Sequence, residues 1–149
     1  LKKISEYSTV ENSLGVIASN SQCIVIPGQE RGSLTVIVLI FSDDDKGHEG
    51  GIVHLKAHSN YLQSVYLADQ GSLIATASEK GTLIRLFDGE MEGNVRNSEG
   101  DMISSHFIIM VMVVLVIHTS VSQDQKYVMC VSDDTTISIF EISESKKKI

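Results

Sequence analysis

The chain has 149 residues, of which 42% are hydrophobic and 21% charged, the make-up of a globular domain able to bury a core. Its net charge of -7 argues against broad affinity for nucleic acid or anionic membrane, which needs a field of positive charge. Any anion site must therefore be local.

The N-terminal Leu1-Lys2-Lys3-Ile4-Ser5-Glu6 has neither an initiator Met nor an apolar signal core, and reads as the interior of a longer protein. From there the chain is punctuated by a repeat. Gln29-Glu30-Arg31-Gly32-Ser33-Leu34 resembles Ser78-Glu79-Lys80-Gly81-Thr82-Leu83, and Ser132-Asp133-Asp134-Thr135-Thr136-Ile137 follows the same plan without its Gly. Each copy sits between two short apolar segments. Cys23 to Ile26 precedes the first and Leu34 to Ile40 follows it; Leu73 to Ala77 and Leu83 to Phe87 flank the second; Tyr127 to Val131 and Ile137 to Ile142 flank the third. The pattern predicts three hairpins. They recur roughly every 50 residues, near the period of four-stranded propeller blades.

The polar stretches between hairpins, 42–51 and 89–94, read as solvated loops. The first is acidic and contains His48, but its spacing misses the calcium-loop pattern. Phe107 to Ile117 is a continuous apolar run, too short for a bilayer span of roughly 20 residues, and is expected to be one strand buried on both faces. Cys23 and Cys130 lie far apart without metal-ligand spacing and are expected to be buried and reduced, as in a cytosolic setting. Lys146-Lys147-Lys148 reads as a solvated tail. No segment has helical period, so the expected fold is all-β: a WD-repeat propeller, incomplete because 149 residues supply about three blades of a ring of four to eight. The blades are expected at 10–42, 52–90 and 107–142, within one domain over 1–149.

The segment Thr76-Ala77-Ser78-Glu79-Lys80-Gly81-Thr82-Leu83-Ile84-Arg85-Leu86-Phe87-Asp88, preceded by Ala57-His58-Ser59, resembles the PROPPIN family of seven-bladed WD-repeat propellers that bind polyphosphoinositides. Weaker matches extend upstream (Asn20 to Cys23, Ile26-Pro27-Gly28) and downstream (Ser122-Gln123-Asp124, Val131 to Phe140). The resemblance implies recognition of phosphatidylinositol 3-phosphate and phosphatidylinositol 3,5-bisphosphate, with recruitment of autophagy proteins to autophagosomal, endosomal or vacuolar membranes by a cytoplasmic, peripheral protein. It implies a first lipid pocket at His58, Thr76, Ser78, Gly81, Thr82 and Arg85, and a second at Ser132 and Thr136, weakened because Ser138 stands where many relatives carry a His. The chemistry suits these residues: hydroxyls donate to phosphate, glycine allows close backbone approach, and a guanidinium grips two oxygens at once. Arg85 stands alone among Leu83, Ile84, Leu86 and Phe87, and a lone charge in such surroundings needs a partner. Serine, threonine and histidine in WD blades also serve hydrogen bonds internal to the blade, and that remains open for His58 and Thr76.

The sequence departs from the family between Gly89 and Thr119. Relatives carry two adjacent arginines shortly after the position of Phe87, which point to opposite faces of one strand. Here the matching residues lie near Asn97-Ser98-Glu99-Gly100-Asp101, with a single Arg96 nearby. Residues 95–119 read as foreign sequence, of the kind a retained intron or a gene-model error leaves, and lipid affinity is expected to be impaired. The chain also ends near where the family begins its membrane-inserting loop. The competing readings are a protein-interaction scaffold without lipid binding and a fragment without function of its own. No nucleophile elbow, phosphate loop, metal cluster or catalytic carboxylate pair is legible, so neither an enzyme nor a cofactor is expected.

Overall fold

The computed structural model describes residues 3, 5–41, 47–68, 73–81, 83–88, 105–110 and 115–142. Among these residues there is no helix, and eleven strands form three antiparallel sheets. The first sheet has the order β1 (Ala18–Ser19), β2 (Cys23–Pro27), β3 (Ser33–Phe41), β4 (Gly47–Lys56). The second follows as β5 (Leu62–Leu67), β6 (Leu73–Ser78), β7 (Leu83–Asp88), β8 (Ser105–Met110), and the third comprises β9 (Val116–Val121), β10 (Tyr127–Ser132) and β11 (Ile137–Glu141). All three predicted hairpins form: β2 pairs with β3, β6 with β7, and β10 with β11.

Glycine explains two of the hairpin turns. Gly32 and Gly81, at equivalent places in the repeat, have φ of +71° and +68°, the left-handed region that costs glycine nothing. In the third copy, Thr135 takes the same conformation at φ +67°.

Two stretches differ from the sequence expectation. Residues 47–51 of the supposed acidic connector are strand, the first half of β4, because the long β3 offers a ladder that continues to Phe41↔Gly47. The register jumps from Val38↔Gly51 to Leu39↔Glu49, so Gly50 is the extra residue of a bulge, a position that tolerates glycine. The apolar run 107–117 is not one strand. Its first part belongs to β8, its end to β9 in the next sheet, and Ile117 and His118 there are exposed rather than buried. Among the described residues, β6 is instead a strand buried at every position. With β4 and β8 as fourth strands, the first two sheets run over 18–56 and 62–110, past the ends expected at 42 and 90, and the third covers 116–141.

The sheets stack through two hydrophobic cores, as blades of a propeller do. Val25, Leu34 and Val36 of the first sheet meet Val65, Ile74 and Phe87 of the second. On its other face the second sheet presents Ala75, Ala77, Ile84 and Leu86 to Val116, Val128 and Cys130 of the third. The middle sheet is thus covered on both sides, which is why β6 and β7 carry apolar residues on both faces, around the polar Thr76, Ser78 and Arg85. The buried contact between Ser64 and Thr119 also ties these sheets together: Ser64 Oγ lies 3.0 Å from Thr119 Oγ1 and accepts the Thr119 N–H at 2.9 Å. From Val116 onward, therefore, the atypical segment is built into the fold. The outer face of the third sheet carries exposed Val131, Ile137 and Ile139. Cys23 and Cys130 are free and buried, and burial raises both thiol pKa values.

Candidate functional site

Side chains alternate along a strand, and this alone sends Thr76 and Arg85 to the same face as Ile74 and Phe87, the face toward the first sheet. Thr76 and Arg85 are also direct cross-strand partners on β6 and β7. Opposite them, the loop 57–61 that links the first sheet to β5 delivers His58 and the Ala57 carbonyl.

The polar contacts here form one connected set. His58 Nε2 lies 2.9 Å from Thr76 Oγ1, and Thr76 Oγ1 donates to the Arg85 carbonyl at 3.3 Å. Because the single hydroxyl proton goes to that carbonyl, His58 Nε2 is the donor to the threonine oxygen. Burial, reinforced by the nearby Arg85 charge and opposed by hydrogen bonding at Thr76, pushes the His58 pKa down to about 4, so the ring is neutral at physiological pH. Arg85 donates from Nη1 to the Ala57 carbonyl. Its Nε is buried with no hydrogen-bond partner, and no ion pair to Arg85 occurs among the described residues. A buried donor without an acceptor is costly, so this guanidinium is incompletely satisfied by the protein.

Three of the predicted site residues, His58, Thr76 and Arg85, are therefore brought together, although two of them use their polar atoms within the sheet, as WD-blade threonines and histidines can. Ser78 and Gly81 sit on the β6–β7 turn, where the Gly81 N–H donates to the Ser78 carbonyl at 2.8 Å. Thr82 lies outside the described residues, as do Arg96 and 97–101. The strand that borders β7 is β8, Ser105-His106-Phe107-Ile108-Ile109-Met110, with Arg85 registered against Ile108. This strand carries no arginine.

Ser132 and Thr136 belong to the third sheet and do not join this group. Ser132 is buried and its N–H donates to the Thr136 carbonyl at 3.0 Å. Thr136 is exposed, and its N–H is held by the Asp134 carboxylate at 3.0 Å, beside the exposed Asp133. Two carboxylates next to that hydroxyl disfavour an approaching phosphate. Sequence reasoning missed the Ala57 carbonyl as the acceptor for Arg85. The Ala-His pair marked the loop, but a backbone carbonyl has no sequence signature. Among the described residues no cluster of three or more His, Cys, Asp or Glu could hold a metal, and no helix is long and apolar enough to cross a membrane.

No protein-family model matches the chain. It is similar to SVP1-like protein 2 of Neurospora crassa, 25% identical over 140 residues that cover 94% of this chain and 29% of that protein. Autophagy-related protein 18 of Dictyostelium discoideum is 29% identical over 151 residues, covering 97% of this chain and 36% of its own length. Among solved structures, Kluyveromyces lactis Hsv2 superposes with a TM-score of 0.67 at 26% identity, covering 88% of this chain and 38% of that one. The chain thus spans about a third of the length of the relatives it matches.

Proposed function

We propose that the chain, similar to the PROPPIN β-propellers over about a third of their length, is part of a propeller of that kind and serves as a phosphoinositide-recognition module, non-enzymatic and peripheral to membranes. The reading extends to phosphatidylinositol 3-phosphate and phosphatidylinositol 3,5-bisphosphate as ligands, and to autophagy proteins recruited at autophagosomal, endosomal or vacuolar membranes. One observation carries it: among the described residues the half-buried Arg85 guanidinium is held by the Ala57 carbonyl and pairs with no carboxylate. A guanidinium fork suits a phosphate, which would meet donors other than Nε, since that nitrogen is closed to solvent.

Recognition rests on this arginine, with Ser78 and Thr82 as candidate hydroxyl donors and His58 and Thr76 as its framework. Binding is weak for the family, because β8, which pairs with β7, carries no arginine. Ser132 and Thr136 contribute little beside Asp133 and Asp134. Flotation with phosphatidylcholine vesicles, with and without phosphatidylinositol 3-phosphate, tests the reading. Lipid-dependent flotation that disappears in Arg85→Ala supports it, and flotation unchanged in that variant overturns it. The alternative is a scaffold that binds protein without lipid. Failure of the wild-type chain to float with either lipid would support that alternative.

A further inference from the structure

The loop that presents Ala57 and His58 is held from behind by the first sheet. The Gly32 carbonyl accepts two consecutive N–H groups, from Ala57 at 3.0 Å and from His58 at 2.8 Å. Gly32 itself has φ +71°, and a Cβ there would stand 2.1 Å from the His58 carbonyl oxygen and 2.6 Å from that of Asn60. Only glycine permits both the conformation and the approach.

Arg31 closes the same corner. Its Nη2 donates to Asn60 Oδ1 at 2.8 Å and to Glu79 Oε1 at 3.1 Å, and its guanidinium carbon lies 4.9 Å from the centroid of the Tyr61 ring. The Lys56 ammonium donates to the Arg31 carbonyl at 2.6 Å. Arg31 and Glu79 occupy the repeated turn motifs of two successive sheets, so one turn grips the other across the loop between them. Ion pairs this exposed contribute little to stability, and the value of the arrangement is geometric.

We propose that the Arg31–Gly32 corner is a positioning element for the anion site: by fixing the Ala57–His58 backbone it fixes the carbonyl that holds one arm of Arg85, and so the direction of the remaining donors. This rests on the reading of Arg85 as the phosphate-binding group. A donor held in place before the ligand arrives binds more tightly than one that must first be ordered.

The test uses variants that leave the charge unaltered. Gly32→Ala attacks the corner directly, and because its Cβ can prevent folding, Asn60→Ala is the second variant, removing an acceptor of Arg31 alone. Affinity is measured for phosphatidylcholine vesicles containing phosphatidylinositol 3-phosphate and for soluble inositol 1,3-bisphosphate, which separates headgroup recognition from membrane attraction. Asn60→Ala is expected to weaken both about three- to tenfold, within the range that small misplacements of a binding group produce. In the same variant the Arg85 Nε–H resonance should shift or broaden while the melting temperature stays near wild type, which a purely structural role would not produce. If Arg85→Ala abolishes binding but Asn60→Ala and folded Gly32→Ala leave affinity and resonance unchanged, the positioning role is wrong. If Arg85→Ala itself has no effect, the underlying lipid-site reading fails instead.

Discussion

Thr76 and Arg85 face each other across β6 and β7, and the threonine hydroxyl spends its proton on the arginine carbonyl while accepting one from His58. The three residues therefore act as one unit in which a neutral imidazole and a cation share a buried wall. A sequence motif that reads as a set of ligand donors is here, in large part, a device for holding one donor in place.

His58 makes stability depend on pH. Its folded pKa is about 4, whereas an unfolded histidine titrates near its ordinary value of 6.5. Between these values the unfolded chain takes up a proton that the folded chain refuses, so stability falls as pH drops through this window and is level above it. The loss across the window is about 3 kcal/mol. Urea unfolding at about pH 7.5 and about pH 5 should show about 2 kcal/mol of this fall in the wild type, because pH 5 still lies above the folded pKa, and a smaller fall in His58→Gln. Equal falls in the two proteins would refute the assignment.

Arg85→Lys separates charge from geometry. An ammonium keeps the charge but cannot both reach the Ala57 carbonyl and present a planar fork, so vesicle binding should drop at least about tenfold although net charge is constant. Retained affinity in surface plasmon resonance would mean that only a diffuse positive potential matters.

Thr135 stands in the left-handed region that Gly32 and Gly81 occupy in the sister turns. A β-branched residue there is strained, by roughly 1 to 2 kcal/mol. Thr135→Gly should relieve most of that strain and raise the melting temperature by a few degrees. A lower melting temperature would show that glycine's greater freedom in the unfolded chain outweighs the relief.

Ser64→Ala tests whether the atypical segment is built into the fold. It removes the acceptor of the buried Thr119 N–H and the partner of the Thr119 hydroxyl. Leaving such groups unsatisfied costs about 1 to 3 kcal/mol, measurable by chemical denaturation. A neutral outcome would mean that β9 does not dock on the second sheet in solution.

Two of the hairpins were legible because glycine at a fixed place in a repeat marks a turn that few other residues can make, and the third because its flanking apolar segments follow the same plan. The fourth strands were not. Gly47 to Gly51 has the composition of a loop and becomes strand only because β3 extends far enough to pair with it, a tertiary influence that local propensity does not carry. The division of 107–117 between two sheets was hidden for the opposite reason: a run that is apolar throughout has no period to reveal where it turns. Arg85 was recognisable as a lone cation on an apolar strand, yet its acceptor is a backbone carbonyl, and the loop that brings it close is set by contacts with another sheet. The grouping of His58 with Thr76 likewise depends on a distance that no linear spacing encodes.

The central sheet is a wall shared by two rooms. Along β6 the residues on either side of Thr76, Ala75 and Ala77, face the third sheet, and both are fully buried. Their smallness sets how closely the two sheets approach, so a bulkier neighbour in either position would push the whole strand sideways and carry Thr76 and its arginine with it. The anion recognition proposed for one side is in this way hostage to packing on the other, and substitutions that never meet a ligand would disable it.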